Sequence, residues 1–527
     1  MLAACGGGET IVEAGTRAGV LHLGNGSEPQ DLDPHTTTGV PEHRVQMALF
    51  EGLAKLDGDT LEPIPGAAAS WLISDDKLTY TFNLRPDGQW SNGDPVTAQD
   101  FVYSWRRLLS PALGAEYAYQ LYYLTNAERF HKGEIDDFSQ VGVRALDDYT
   151  LEVNLAHPTP FFLSLLDHNS LYPVHAATIE QFGRIDEAGT RWTRPGNLVG
   201  NGPFTLTTWE LNRVITVEKN PLYWDADSVQ INAINFYPIE NYTTEERMFR
   251  SGSLHATTEL PIEKIAVYQE EDPDLIRITP YLGTYFYVVN TDQPPFDDPR
   301  VRRALGMAID RESLVENVTK GGQLPAYAVT PPGVAGYYPR AAVPYDIEEA
   351  RRLLAEAGYP DGEGFPPFEL LYNTNESHQK IGVAIQQMWQ QALNIQVTLA
   401  NQEWKVYIES QNNQNYDISR TGWIGDYPDP NTFLDMFITD GGNNDTGWSN
   451  AEYDRLIAAA ARESDPDQRL ELFQQAEEIL IEEMPVIPIY TYTRIMLISP
   501  DLLGWPDNIL DRHRYEALSL RSANTED

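Results

Sequence analysis

The chain has 527 residues, of which 78 are acidic and 37 basic, so its formal net charge at pH 7 is −41. Hydrophobic residues make up 42% of the chain, which is a globular composition and excludes disordered and collagen-like classes. The acidic excess repels phosphate backbones, so we expect no nucleic-acid partner, and no apolar run in the sequence is long enough to span a bilayer.

The only cysteine, Cys5, excludes an intrachain disulfide and a cysteine-based metal cluster. The sequence Leu2-Ala3-Ala4-Cys5, followed by three glycines, resembles a bacterial lipobox, in which the cysteine carries a lipid. Because no apolar signal segment precedes it, the alternative is an accidental cysteine in the leader. The lipobox predicts an exported protein that touches the membrane only through a lipid, joined by a flexible leader of residues 1–20.

Strand-like and helix-like patterns are interleaved and predict an α/β fold. Period-2 alternation predicts strands at 78–84, 150–155, 214–218 and 284–290. Apolar periodicity and capping residues predict helices at 98–109, 299–319, 347–357, 376–393, 403–412, 450–462 and 466–483. Proline-rich segments at 294–296 and 331–333 are predicted to mark chain crossings between two lobes.

Signatures of the common hydrolases and nucleotide-binding enzymes are missing from the sequence. There is no G-x-S-x-G, H-E-x-x-H, phosphate-binding loop or G-x-G-x-x-G motif. His35 and His43 lack further metal ligands and are interpreted as a loop histidine and a helix-surface histidine. We therefore expect no catalytic residue, metal or cofactor. Asp426 and Asp429 leave one alternative, a cell-wall hydrolase with paired acid and base carboxylates.

Residues 416–430 carry the clearest functional pattern. A predicted strand leads into the run from Gly422 to Gly425 and ends in an acidic, proline-rich turn, with Arg420 before the run and Asp426 after it. Six extended residues span about 20 Å, so these opposite charges need not neutralise each other and can receive the two ends of one zwitterionic ligand. The structural alternative is a salt-bridged edge strand with a buried tryptophan.

This segment resembles the extracytoplasmic oligopeptide-binding proteins of bacterial ABC importers. The resemblance extends over nearly the whole chain, through matching segments at 28–35, 90–105, 193–204, 218–224, 280–285 and 401–405. It implies a periplasmic-binding-protein fold of type II, in which two lobes close about a hinge, with an extra domain. The implied ranges are 21–50, 178–282 and 494–527 for lobe I, 51–177 for the extra domain and 283–493 for lobe II.

The resemblance also implies how the ends and the main chain of a peptide are bound. Asp426 corresponds to the carboxylate that pairs with the peptide α-amino group, and Arg420 to the cation that meets the carboxylate of shorter peptides. The backbone around Gly422 and Ile424, and that of Val40 on the other lobe, would bond to the peptide main chain.

Five further residues correspond to pocket positions. Tyr117, Tyr281, Trp404 and Trp423 would line side-chain pockets, and His378 would reach the C-terminus of longer peptides. The implied partners are an ABC permease and its cytoplasmic ATPases, the implied location is the periplasm, and we expect a monomer. Murein peptides, dipeptides or another amine-bearing solute remain alternative ligands within the same superfamily.

Overall fold

A computed structural model describes residues 8–521, so the predicted lipidation site at Cys5 lies outside the described residues. No helix in this range is long and apolar enough to cross a membrane. The described residues bury three main hydrophobic cores, each built on its own sheet. The predicted domain boundaries stay a prediction. Within the predicted flexible leader, however, Ile11–Ala18 is a capped helix and Val20 begins a strand of the first sheet, so this part of it is folded.

The first body, the smaller lobe, is built on a sheet of four strands. Their order is Val20–Gly24, Ala233–Tyr237, Val214–Lys219 and Phe204–Glu210. The alternation along Val214–Lys219 places Ile215 and Val217 in the core, as a half-buried strand requires. The helix Val40–Leu49 packs on this core through Val45, Ala48 and Leu49, so its first turn is held at the edge of the lobe.

The second body, the inserted domain, has its own four-stranded antiparallel sheet. The strand order is Ala68–Ile73, Thr79–Leu84, Thr150–Asn154 and Val143–Asp147. The helix Ala98–Leu108 covers this sheet with Phe101, Trp105 and Leu108. Its start is fixed by the predicted capping box, in which the Thr97 N–H donates to the Asp100 carboxylate at 2.7 Å.

The third body, the larger lobe, is built on a sheet of six strands. Their order is Leu324–Pro325, Val486–Leu497, Ile276–Val289, Ile418–Ile424, Phe368–Asn373 and Val397–Gln402. The two long strands Ile276–Val289 and Val486–Leu497 pair antiparallel and continue towards the smaller lobe, where Met496 joins the core of that lobe. Their register shifts between Pro280 and Thr284, at the point where the pair passes from one core to the other.

Helices and two short two-stranded sheets complete the fold. These sheets pair Ala54–Leu56 with Pro63–Pro65 and Leu502–Leu503 with Ser519–Leu520. The remaining α-helices are Ile11–Ala18, Ala127–His131, Phe162–Leu165, Ala176–Phe182, Tyr242–Arg250, Ile262–Glu271, Pro299–Met307, Arg311–Leu314, Ile347–Glu356, Glu376–Leu393, Trp404–Asn412, Asn431–Leu434, Ala451–Ala460 and Pro466–Glu483.

The structure confirms the predicted strands and all predicted helices except one. The helix predicted at 299–319 is wrong as a single element, because it ends at Met307 and a new helix starts at Arg311 and continues as a π-turn. Asp310 caps the new start by accepting a hydrogen bond from the Ser313 N–H. Arg311 Nη1 donates to the carbonyls of Gly306 and Ile309 and so stabilises the break.

The proline-rich segments do not mark crossings between lobes, and that prediction is wrong. Phe296, within the first segment, and Val334, directly after the second, both belong to the core of the larger lobe. The two paired long strands instead join the core of the larger lobe to that of the smaller lobe, which includes Met496. Proline marks a turn in the chain, and turns occur inside a lobe as readily as between lobes.

Buried carboxyl groups make the stability of this fold pH-dependent. Burial raises the pKa of Glu245 in the smaller lobe and of Glu477 in the larger lobe to about 7, well above the ordinary value for glutamate. A raised folded-state pKa contributes stability at low pH that is lost as the pH rises through 7. Below about pH 6.5 the buried, neutral His22 and His255 oppose this trend, since burial lowers their pKa to about 4.

We therefore expect the urea midpoint of unfolding to fall between pH 6.5 and pH 8.5. Glu477→Gln should flatten this slope, because the amide cannot ionise, while its oxygen still accepts from the Val329 N–H and its NH2 group can donate to the Tyr337 hydroxyl. Midpoints measured by circular dichroism in half-unit steps of pH test this. A midpoint that rises towards pH 8.5, or an unchanged slope in the variant, would contradict the assignment.

Candidate functional site

A cavity of about 180 Å³ lies where the three bodies meet. Nine of the ten predicted ligand-contact residues line it: Val40, Tyr117, Tyr281, Trp404, Arg420, Gly422, Trp423, Ile424 and Asp426. His378 does not; it lines a neighbouring cavity of about 140 Å³, to which Arg420 also belongs. The roles of these residues stay predictions, but the fold brings them together as one wall of polar and aromatic groups.

The strand Ile418–Ile424 offers a free edge to the cavity. On one side it pairs with Ile276–Val289 along its whole length, from Ile418 to Ile424. On the other side the strand Phe368–Asn373 pairs only with Ile418 and Ser419. Residues 421–424 therefore have no strand partner on that side among the described residues, and all four line the cavity. An unpaired edge can add an extended ligand as a further strand.

Asp426 follows this strand and is held by the inserted domain. The residue is 8% exposed, and its carboxylate accepts hydrogen bonds from Gln120 Nε2 at 3.0 Å and His168 Nε2 at 3.2 Å. The other ring nitrogen of His168 accepts from the Ser170 N–H, so Nε2 carries the proton that points at Asp426. The Asp426 N–H donates to Thr432 Oγ1, which fixes the turn. A carboxylate oriented in this way presents an anion to the cavity.

Arg420 provides a cation in the same wall without an anionic partner. Its guanidinium donates to Tyr492 Oη at 2.6 Å and to Asn373 Oδ1 at 3.2 Å, and its central carbon lies 4.7 Å from the centre of the Tyr285 ring. Among residues 8–521 no carboxylate lies within 4 Å of it, and its Nε is buried without a hydrogen-bond partner. A positioned cation of this kind is suited to an anionic ligand group.

Aromatic rings form the faces of the cavity. The Trp423 and Tyr117 rings lie 6.1 Å apart, and Tyr117 also packs on His168 at 4.5 Å. Trp404 stacks on Tyr407, whose hydroxyl donates to the Arg420 carbonyl. These rings supply broad apolar surfaces, so ligand side chains of different shape can be accommodated.

The smaller lobe contributes the amino-terminal end of the helix Val40–Leu49. Its first-turn N–H groups have no partner within the helix, so the Val40 N–H can donate a hydrogen bond to a ligand carbonyl. A side chain at Gly39 would have its Cβ 2.9 Å from the Trp404 ring, which shows how closely the two lobes approach here. Only glycine allows this approach without displacing Trp404.

His378 lies behind Arg420 in the neighbouring cavity. Its Nδ1 is 3.5 Å from the Tyr285 hydroxyl, and burial together with the charge of Arg420 lowers its pKa well below the ordinary value. A neutral imidazole at this place can exchange hydrogen bonds but adds no charge. Its predicted contact with the C-terminus of longer peptides stays a prediction.

Other residues of the site are not evident from the sequence. Gln120 and His168, the partners of Asp426, have no motif around them, and the same holds for Arg44 and Arg512, which line the cavity from the smaller-lobe side. His43 was interpreted as a helix-surface residue, yet it faces the cavity and stacks on His168 at 6.2 Å. Only their shared place in the fold identifies them.

The carboxylate pair required by the hydrolase alternative is not available. Both oxygens of Asp429 accept hydrogen bonds from the Arg469 guanidinium at 2.8 Å. The Asp429 side chain is therefore neutralised in a bidentate ion pair, and it is absent from the cavity lining. Asp426 is left without a second free carboxylate from its own turn.

Comparisons with known proteins agree with this geometry. Residues 62–445 match the family described as bacterial extracellular solute-binding proteins, family 5. The chain is 39% identical over 510 residues to the periplasmic oligopeptide-binding protein OppA of Salmonella typhimurium, with 93% of this chain and 91% of that protein covered. Haemophilus influenzae OppA in complex with RPPGFSPFR superposes with a TM-score of 0.90 at 38% identity, covering 95% of this chain and 98% of that one.

Two structures of a third relative differ in how well they superpose on this chain. The Escherichia coli murein tripeptide-binding protein MppA superposes with a TM-score of 0.91 at 37% identity, covering 95% of this chain and 98% of that one. The unliganded open form of MppA superposes with a TM-score of only 0.64. Its identity is the same, and the match covers 95% of this chain and 97% of that one. The lobes of this chain are therefore arranged as in the former structure. These similarities confirm the predicted resemblance and the two-lobed α/β fold class.

Proposed function

The chain belongs to family 5 of the bacterial extracellular solute-binding proteins, and we propose that it captures oligopeptides in the cavity between its bodies for an ABC importer. The observation that carries this proposal is the free strand edge at residues 421–424, which faces the cavity between the cation of Arg420 and the anion of Asp426. Main-chain groups and charged ends are what all peptides share, so a site built from their partners recognises peptides as a class.

In this proposal the peptide adds to the free edge as an extended strand. Its ammonium group pairs with Asp426, and its carbonyls and N–H groups bond to the main chain around Gly422 and Ile424 and to Val40. The carboxylate of a short peptide meets Arg420, and longer peptides extend towards His378. Side chains lie between the aromatic faces, where water can fill the space that a small side chain leaves.

Lobe closure completes the site. The helix end that carries Val40 belongs to the smaller lobe, whereas Arg420 and Asp426 belong to the larger one. A ligand that contacts both lobes binds the closed arrangement better than the open one and shifts the population towards closure. No step of this cycle makes or breaks a covalent bond, so the proposed role is binding and delivery rather than catalysis.

Delivery requires partners, which we propose from the family. They are an ABC permease and its cytoplasmic ATPases, with the protein held outside the cytoplasm by a lipid on Cys5. The named relatives OppA and MppA are described as periplasmic. Murein peptides are a second candidate class of ligand, since MppA superposes with a TM-score of 0.91.

Native mass spectrometry of the purified protein tests the proposed function. We expect intact peptides with free amino termini to be released from the folded protein and to rebind when added back, as measured by calorimetry. Peptides that come off shortened after incubation would indicate hydrolysis instead. A protein that neither carries nor rebinds any peptide would overturn the proposal.

Binding should also change tryptophan fluorescence. Trp404 and Trp423 line the cavity, and a peptide that closes the lobes removes water from both rings. We expect a saturable change in emission on titration with a free peptide, lost in a variant in which both residues are phenylalanine. An unchanged spectrum with a peptide that binds by calorimetry would contradict closure over these rings.

A further inference from the structure

Two acidic side chains from different bodies line one part of the cavity. Glu116 starts the short helical turn Glu116–Leu121 of the inserted domain, and Asp445 lies in the loop after Phe437 of the larger lobe. The loop rests directly on the turn, since a Cβ atom on Gly442 would collide with the Glu116 carbonyl. The two carboxylates are therefore brought together only by the fold.

These carboxylates lack a compensating cation. Among residues 8–521 no lysine, arginine or histidine nitrogen lies within 4 Å of either one, and no group donates a hydrogen bond to the Asp445 carboxylate. Glu116 Oε1 accepts one hydrogen bond, from Asn412 Nδ2 at 2.7 Å. Burial raises the pKa of both groups to about 7, and the charge of Asp445 adds to the effect on Glu116.

The three arginines that line the cavity interact with other side chains, not with Glu116 or Asp445. Arg44 lies 3.7 Å from Asp511, Arg512 lies 3.7 Å from Asp167, and Arg420 is fixed by Tyr492 and Asn373. Asp426 is also distinct from the acidic pair, because its oxygens accept from Gln120 and His168. The unpaired negative charge of Glu116 and Asp445 is thus left to a ligand that enters the cavity.

We propose that Glu116 and Asp445 form a subsite for a cationic side chain of the bound peptide, such as that of lysine or arginine. This inference rests on the proposed function and specifies which peptides the site prefers. An ammonium or guanidinium group has several N–H donors, so it can bond to both carboxylates at once and let both ionise. Neighbouring amides of Gln411, Asn412 and Asn443 supply a polar rim for it.

The test compares matched peptides. Each peptide is tetra-alanine in which lysine or methionine replaces the alanine at position 1, 2 or 3. Methionine is the matched control because its side chain has a similar length and no charge. We expect lysine to bind about tenfold or more tightly than methionine at one position, as a charge-assisted pair in a partly buried site implies. Calorimetry at fixed salt and pH 8 measures both affinities, with both carboxylates ionised.

The variant Glu116→Gln/Asp445→Asn should reduce this preference to within about twofold, by weakening the binding of the lysine peptides. The control Glu409→Gln/Asp440→Asn removes the same charge from exposed positions outside the cavity and should keep the preference. Equal binding of lysine and methionine peptides at all three positions, or a preference that survives in the cavity variant, would overturn the subsite. Failure of every peptide to bind would instead contradict the proposed function itself.

Discussion

Replacing Asp426 with asparagine is expected to weaken the binding of a peptide with a free amino terminus by about thirtyfold to several-thousandfold. The reason is that the peptide ammonium group would be buried without its anion, and breaking such a pair costs about 2–5 kcal/mol. Asparagine keeps the size of the side chain and one acceptor oxygen, so the contact with His168 or Gln120 can be retained. Calorimetry with the wild type and Asp426→Asn gives the ratio.

An N-acetylated peptide distinguishes the loss of the ammonium–Asp426 ion pair from a loss of packing around Asp426. Acetylation removes the ammonium group, so it should weaken binding to the wild type strongly and add little further loss in Asp426→Asn. The exposed Asp440→Asn serves as the matched control and should bind like the wild type. If the variant lost affinity for free and acetylated peptides alike, Asp426 would act by holding the inserted domain rather than by meeting the amine.

The largest effect on stability is expected at a buried ion pair between the inserted domain and the smaller lobe. Arg107 donates to both oxygens of Asp33, with distances of 2.9 and 2.5 Å, and both side chains are almost fully buried. Arg107→Met leaves the Asp33 charge buried and unpaired, which typically costs about 3–5 kcal/mol. Urea unfolding at pH 7, followed by circular dichroism, measures the loss.

The double variant Asp33→Asn/Arg107→Met should recover part of that loss, because it removes the uncompensated charge. Burial alone would raise the pKa of Asp33, but the charge and hydrogen bonds of Arg107 outweigh it and hold the pKa below the ordinary value. The contribution of this pair is therefore present above about pH 4 and is lost as the pH falls through the lowered pKa. A loss under about 1 kcal/mol for Arg107→Met would show that the pair is dispensable.

Features that depend on neighbouring residues were predictable from the sequence. The helix Ala98–Leu108 begins at the capping box of Thr97 and Asp100, and Ile347–Glu356 begins at its cap Asp346, since these interactions span three residues. The segment from Arg420 to Asp426 was recognisable for the same reason, because its strand, its glycines and its acidic turn are contiguous. The one misplaced helix, 299–319, was broken by contacts of Arg311 with carbonyls that apolar periodicity does not report.

Features that depend on distant contacts were not predictable. Gln120 and Asp426 are 306 residues apart, and nothing around a glutamine in a short helical turn indicates a carboxylate partner. The same holds for Glu116 and Asp445, which meet only because a loop of one body lies on a turn of another. His43 illustrates both cases. Its turn of helix could be predicted from neighbouring residues, but its position in the cavity depends on how the lobes meet.

The paired long strands have a consequence for how the chain could be shortened. Pro280 on the outgoing strand is the register partner of Thr493 on the returning strand. The chain therefore leaves for the larger lobe and comes back at adjacent positions, about 5 Å apart as neighbouring strands are. Residues 281–492 thus leave and return at neighbouring positions. A deletion of these residues would need only a tight turn between Pro280 and Thr493 and would not change the path of the remaining chain. The part of the cavity wall that carries Arg420 and Asp426 is therefore, topologically, one contiguous insertion in the chain.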